Sequence, residues 1–540
     1  MRSSKPSVLL LCTLLILLGC ESDPFHAKLK RLPDFAQEKY RPLIHFSPKN
    51  NWMNDPNGMV YYDGEYHLFY QYYPDSTVWG PMHWGHAIST DLVHWEELPI
   101  ALYPDDLGYI FSGSAVIDWN NTSGLQKGDH PPMIAIFTHH DPKGEKEEGN
   151  ITFQYQSIAY SNDKGRTWSK YEGNPVIPNP GIRDFRDPKV FWHKETGKWI
   201  MILAAADKVM LYSSTNLKEW AFESDFGENA GSHGGVWECP DLFKLKLEDT
   251  EEEKWVMLVS IGSGGKNGGS ATQYFIGDFD GKSFTPSNDM TKPLWLDYGR
   301  DNYAGVTWSD IPQEDDRRIF IGWMSNWQYA QVVPTENWRS AMTLPRSLHL
   351  IKSFDQYRVA SRPVKELKLL ETGIPIEAGG FDVQDNEFFW LSQGGTSQGD
   401  VSQQVPYWAE VTFDLEDIAG KFFGVEFRNS AGEKYYVVIL DGVILSDRTK
   451  IPLHKEIPDF ADSTHRALIQ NFSDRKELKL EFYVDQSSIE IFVADGEVVL
   501  TETLFASEPF HDALIFALNG KVEFKSKKAR QLKSIWEPIK

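Results

Sequence analysis

Ser89-Thr90-Asp91-Leu92-Val93-His94-Trp95 is the stretch that decides the fold, because the chain repeats it. Ser161-Asn162-Asp163-Lys164-Gly165-Arg166-Thr167-Trp168 is a second copy and Ser213-Ser214-Thr215-Asn216-Leu217-Lys218-Glu219-Trp220 a third. Gly277-Asp278-Phe279-Asp280-Gly281-Lys282-Ser283-Phe284 is a looser fourth. Each joins the end of a strand-like run to a polar Asp or Asn turn, then to an aromatic residue that opens the next run. Asp and Asn favour such turns because their side chains hydrogen-bond the backbone two residues on. The copies fall roughly 50–75 residues apart, a blade period for a β-propeller with long loops. Fewer than six blades of that period fit before about Leu350. Turns of this kind occur in any β-protein; four copies in order favour the propeller.

The runs around the copies are short and bounded by turn residues, as in Tyr66-His67-Leu68-Phe69-Tyr70 and Met133-Ile134-Ala135-Ile136-Phe137. Long segments of helical period are scarce, so the chain reads as all-β. The pattern breaks at Ile351–Gly373, where Pro363–Leu370 has the composition of a short helix. Alternation then resumes at Tyr407–Phe413, Phe422–Phe427, Tyr435–Leu440, Leu478–Val484 and Ile489–Val493, with Asp495-Gly496 as a hairpin turn. This second region reads as a β-sandwich of jelly-roll or lectin type. The expected boundaries are a propeller over 39–350, a linker over 351–375 and a sandwich over 376–540.

The 540 residues carry a net charge of -23, which disfavours nucleic acid as a partner and leaves a neutral ligand unpenalised. Aromatics make up 14% of the chain, with 19 Trp. That richness suits both a β-rich core and a sugar-binding cleft, and composition does not separate the two. Arg2 and Lys5 precede an apolar run, Val8–Leu18, too short for a comfortable membrane span. It ends in Leu17-Leu18-Gly19-Cys20, which resembles a bacterial lipobox: a signal peptide over 1–20, lipid on Cys20 and a polar tether over 21–38. This implies an exported protein anchored to a membrane. Cys12 lies in the leader, so Cys239 alone remains as a free thiol and the mature fold has no internal disulfide.

Three acids stand out by their surroundings: Asp55 in Trp52-Met53-Asn54-Asp55-Pro56-Asn57-Gly58, Asp187 in Phe185-Arg186-Asp187-Pro188, and Glu238 in Trp237-Glu238-Cys239-Pro240-Asp241. Pro and Gly fix the local turn and so hold a short acidic side chain in one orientation. An apolar wall beside a carboxylate shifts its pKa. Taken singly, each motif reads as well as a turn, an ion pair or an incidental acid. Together and in this order they resemble the signature of glycoside hydrolase family 32, the invertase, inulinase and levanase family. The resemblance extends to Phe69-Tyr70-Gln71, Trp79 to Ala87, Phe111-Ser112-Gly113-Ser114, Asp297 to Ala304, Ile321 to Trp327 and Val484 to Phe492. It covers the chain from about residue 40 to the end.

The resemblance implies a five-bladed β-propeller followed by a β-sandwich. It implies hydrolysis of β-fructosidic bonds with retention, Asp55 as nucleophile, Glu238 as general acid/base and Asp187 as transition-state stabiliser. On this reading the charge on Asp55 and the apolar walls keep a proton on Glu238. Asn54, Gln71, Trp79, Phe111, Ser112, Arg186 and Trp323 match residues that line the terminal-sugar pocket, and Asp301 is a further candidate contact. No cofactor is implied. His83, His86, His139 and His140 cluster in sequence without a Cys or acidic partner at metal-site spacing, so no metal is expected. The favoured substrates are levan, inulin or sucrose, attacked from the chain end. The alternatives are an endo-levanase, an inverting enzyme of a related five-bladed family, and an anchored glycan-binding protein without activity.

Overall fold

The computed structural model describes residues 33–353, 356–385, 388–390 and 405–537. The leader, Cys20 and the tether up to residue 32 lie outside the described residues. The repeated stretch is the turn between the third and fourth strands of four successive sheets. These strand pairs are His83–Ser89 with Glu96–Leu102, Gln154–Ser161 with Ser169–Lys170, Lys208–Ser214 with Ala221–Phe226, and Ala271–Phe279 with Phe284–Pro286. The acid or amide acts as the sequence suggested. Asp91 Oδ1 accepts the backbone N–H of Val93 and His94, Asn216 Oδ1 those of Lys218 and Glu219, and Asp280 Oδ1 those of Lys282 and Ser283.

Five such sheets form the blades of a β-propeller. Their first strands are Asn51–Tyr62, Tyr109–Ile117, Phe185–His193, Trp237–Lys246 and Tyr303–Thr307, and these pack against one another around a central channel. Trp338–Arg339, which follows the second strand of the last blade, pairs in parallel with Asn51 and Trp52 of the first and closes the ring.

Every first strand carries a bulge near its start. Between Met53 and Pro56, Ile110 and Gly113, Arg186 and Lys189, Glu238 and Asp241, and Tyr303 and Val306, one more residue is present than on the paired strand. Bulges re-aim side chains and tolerate proline, which cannot donate to a ladder. Pro56, Pro188 and Pro240 sit in three of them. Asp187 and Cys239 adopt φ of 65° and 44°, in the left-handed region. The five bulges lie side by side at one mouth of the channel and build the site described below.

The blade region extends past the expected boundary. Gln356–Pro363 is the outer strand of the fifth blade, paired with Arg346–Ser353, so most of the stretch read as linker belongs to ordered sheets. A 3-10 helix, Lys365–Leu370, is the true connection, and Glu371–Ala378 already pairs with Val522–Leu532 of the next domain. That short connection is legible as helix-forming; the strand before it lacks the Asp-turn-Trp marker and was hidden for that reason. The last residues read as tether are also docked, because Phe35 packs edge-on against Trp536 with centroids 5.2 Å apart.

The C-terminal domain is a β-sandwich of a seven-stranded and a six-stranded sheet. Its alternation follows strand period: Tyr407, Ala409, Val411 and Phe413 are buried between the sheets while Trp408, Glu410 and Thr412 are not. Asp495 and Gly496 lie in the turn between Ser488–Val493 and Val498–Thr503.

Candidate active site

The mouth of the channel at the bulged ends holds a pocket of about 400 Å³. Asp55, Asp187 and Glu238 line it together, although they come from three different blades. Asn54, Gln71, Trp79, Phe111, Ser112 and Arg186 also line it. Asp55 is fixed on both oxygens: Asn54 Nδ2 donates to Oδ1 at 3.0 Å and Ser112 Oγ to Oδ2 at 2.8 Å. Asn54 is itself oriented by the Trp52 indole N–H at 2.7 Å. Asp187 Oδ2 accepts the backbone N–H of Cys239 at 3.0 Å, and the Cys239 thiol lies 3.4 Å from Asp55 and 3.6 Å from Asp187. Thus the buried thiol bridges the two carboxyls.

Arg186 Nη2 donates to Glu238 Oε1 at 3.0 Å and Nη1 to Asp184 at 2.6 Å, while Nε lies 3.9 Å from Asp187. The other Glu238 oxygen accepts the hydroxyl of fully buried Tyr303. Arg186, Glu238 and Tyr303 occupy the same position in three neighbouring bulges, the last paired residue before the extra one. The repeated backbone device therefore presents a cation, an acid and a hydroxyl to one point.

Burial, and then the charge of Glu238, push the Asp55 carboxyl up against the opposing Asn54, Ser112 and Cys239 contacts. Asp187 is pushed up to about 7 by burial, which the Arg186 charge only partly offsets. The free pocket thus retains protons near neutral pH among interacting groups, and its titration belongs to the cluster rather than to one residue.

Trp323 is the exception among the sequence-assigned lining residues. It is fully buried, packs between Trp52, Tyr303 and Trp327, and does not reach the pocket. Trp327 lines the pocket in its place, together with His140, Glu145, Gln154, Asp184 and Gln331, none of which was assigned from sequence. The signal for Tyr303 and Trp327 was present, since both lie in stretches quoted for the family resemblance. Asp301 is no substrate contact. It is fully buried against Arg448 of the sandwich at 2.6 Å. The histidines do not gather either. His86 bonds His67 at 3.0 Å, His139 bonds Ser157 at 2.7 Å, and His140 stacks on Phe111 at 4.4 Å. No group of three or more His, Cys, Asp or Glu among the described residues is placed to hold a metal ion.

A β-propeller whose channel mouth gathers three carboxyl groups around a sugar-sized pocket is built as a glycoside hydrolase. Residues 45–363 match the N-terminal domain of glycosyl hydrolases family 32, and residues 383–531 its C-terminal domain. A levanase of Bacillus subtilis (strain 168) is 45% identical over 541 residues, covering 99% of this chain and 76% of its own. An extracellular exo-inulinase of Aspergillus niger is 38% identical over 530 residues, covering 92% of this chain and 96% of its own. Among solved structures, exo-inulinase from Aspergillus awamori superposes with a TM-score of 0.83 at 35% identity, covering 93% of this chain and 99% of that one. A β-fructofuranosidase from Schwanniomyces occidentalis complexed with fructosyl-erythritol superposes at 0.81 with 32% identity, over 93% and 99%. The chain belongs to glycosyl hydrolase family 32.

Proposed function

We propose that the protein is a retaining, exo-acting β-fructosidase that releases terminal fructose from levan, inulin or sucrose. The observation that carries this reading is the convergence of Asp55, Asp187 and Glu238 in one pocket. Below them the channel narrows to a void of about 10 Å³ between Pro56, Pro188 and Pro240. A sugar enters such a pocket end first.

In this mechanism Asp55 attacks the anomeric C2 of a terminal fructofuranosyl unit as Glu238 protonates the departing oxygen. The covalent fructosyl-enzyme is then hydrolysed by water that Glu238 deprotonates. Asp187 accepts hydrogen bonds from ring hydroxyls, which strengthen as positive charge develops on the ring. Those bonds also favour its ionised form. The Gln71 amide nitrogen, buried and without a protein partner, is a ready donor to the sugar. Phe111 and Trp79, edge to face with centroids 6.1 Å apart, form the apolar wall.

Time-resolved product analysis on levan and inulin tests the reading. Fructose alone from the first time point, formed first as the β-anomer by NMR, is the expected result. A ladder of oligosaccharides would overturn exo action, and an inverted first anomer would remove Asp55 as nucleophile.

The same proposal includes export and lipid anchoring at Cys20, supported by the Leu17-Leu18-Gly19-Cys20 sequence behind a basic, apolar leader. Cys20→Ser is expected to move the protein from the detergent-extracted membrane fraction to the soluble one; unchanged membrane retention would refute the anchor.

A further inference from the structure

The channel has a second mouth. The catalytic groups occupy the starts of the first strands of the blades, whereas the ends of those strands open into a cavity of about 870 Å³ on the opposite face. Trp119, Trp192, Trp255, Lys189, Asp310 and Arg318 are among its lining residues. Two of these indoles face outward: Trp119 is 56% exposed and Trp192 36%. Exposed tryptophans are ordinarily mobile, but these are held. The Trp119 N–H donates to Asp310 Oδ1 at 2.8 Å, and its ring meets Tyr62 edge-on at 5.6 Å. Asp310 is half-buried, and its other oxygen accepts the backbone N–H of Ile117 at 3.1 Å. Trp192 meets Trp199 edge-on at 5.1 Å, and Trp199 is anchored through its N–H to Thr122 at 2.9 Å.

The same cavity is lined by an under-used donor. Among the described residues Arg318 makes a single weak hydrogen bond, to the Trp308 carbonyl at 3.4 Å, joins no ion pair within 4.0 Å, and lies over the Phe243 ring at 5.2 Å. A guanidinium has five N–H donors, so most of those of Arg318 are left for whatever fills the cavity. The cavity does not communicate with the catalytic pocket as one ligand site. Lys189 closes the floor between them, bonded to the Thr307 carbonyl and 3.3 Å from Asp241, which in turn accepts from Thr307. Basic and acidic side chains line the cavity in near-equal number, so neither an anion nor a cation is selected by the net field. Fixed aromatic faces flanking hydrogen-bond donors and acceptors fit a neutral polyhydroxylated chain.

We propose that this cavity is a second carbohydrate site that binds a segment of fructan chain remote from the bond being cleaved. The identity of the glycan rests on the substrate reading above. Such a site holds the enzyme on the polymer and raises the effective concentration of chain ends at the catalytic mouth.

The test is affinity electrophoresis of the full chain through gels containing levan, inulin or dextran, in an Asp55→Asn background that prevents turnover. Trp119→Ala combined with Trp192→Ala, both exposed and outside the catalytic pocket, is expected to weaken retention on levan or inulin roughly tenfold, the effect of losing two stacking faces. In the active background the same pair is expected to leave kcat/KM on sucrose within about twofold, since stacking losses act only on ligands that reach them. Arg318→Lys, which keeps the charge and loses the planar fork, is expected to weaken retention to an intermediate degree. Undiminished retention in the double variant, retention on dextran equal to that on fructan, or a parallel loss on sucrose would each overturn the proposal. Failure of the catalytic reading would appear instead in the product analysis, with retention unaffected.

Discussion

Asp55→Asn is expected to lower turnover of sucrose or fructan by about 10⁵- to 10⁶-fold, the scale of losing a covalent nucleophile. The exchange is nearly isosteric. Asn54, Ser112 and Cys239 hold the carboxylate by contacts that an amide largely keeps, so the fold and the unfolding midpoint should remain. Glu238→Gln is expected to be as damaging on natural substrates, but for a different reason, and one substrate separates the two. β-Fructosyl fluoride has a leaving group that needs no proton, so the Gln variant should still form the fructosyl-enzyme. It should then stall, because no base activates water, and release fluoride in a burst equal to the enzyme present. The Asn variant should show no burst. Steady fructose release by either variant at a wild-type rate, or a fluoride burst from the Asn variant, would falsify the assignment of roles.

The pH profile follows from the same cluster. Asp55 must be ionised to attack, and burial together with the Glu238 charge raises its carboxyl in the free enzyme. The acid limb of kcat/KM is therefore expected above the usual range for an aspartate, where the free-enzyme groups titrate. Ser112→Ala removes a hydrogen bond that favours the ionised Asp55, so its acid limb should shift further upward even as kcat falls.

How far the sequence could be read depended on the range of the interaction that fixed each element. The Asp-turn-Trp marker is local: Asp91, Asp163 and Asn216 bind backbone groups within four residues, and that geometry is written in consecutive letters. The three acids were recognisable because a proline follows two of them directly and stands two positions after the third. The bulges that aim them were not, because a bulge is defined only against the paired strand. Trp323 and Trp327 show the same limit. Both are aromatic residues of one motif, yet Trp323 lies in the strand Arg318–Met324 and Trp327 in the turn that follows it, and the sequence does not say where the strand ends. Asp301 was misread for a longer-range reason. Its partner Arg448 lies 147 positions away in another domain.

A different inter-domain contact sets the second large effect: Arg346→Met is expected to destabilise the protein by about 3–5 kcal/mol, the cost of stranding buried charge. Arg346 is fully buried in the last blade. Its guanidinium reaches Glu490 of the sandwich at 2.6 Å and 3.1 Å, and Asp297 at 2.9 Å. Without it, two buried carboxylates lose their principal cation. Glu490 also accepts the Leu344 N–H at 2.6 Å and lies 3.1 Å from His45, whose other ring nitrogen is 2.7 Å from Asp485. Asp485 in turn binds the backbone N–H groups of Leu43 and Ile44. The sandwich therefore clasps both the last blade and the segment that leads into the Asp55 strand, so thermal loss of activity should track unfolding in the variant. Burial alone would lower the His45 pKa, but hydrogen bonds to Asp485 and Glu490 outweigh it and hold the imidazole at about 9. A pKa raised in the folded state gives stability that is complete below about 6.5 and is lost as pH rises through about 9, an effect of roughly 3 kcal/mol. Urea denaturation across that range should show the decline in the wild type and a flatter profile in His45→Gln. Adding Glu490→Gln to Arg346→Met should recover part of the loss, because it removes one of the stranded charges; a further loss of similar size would mean that the pair acts independently and that the clasp is not a single network.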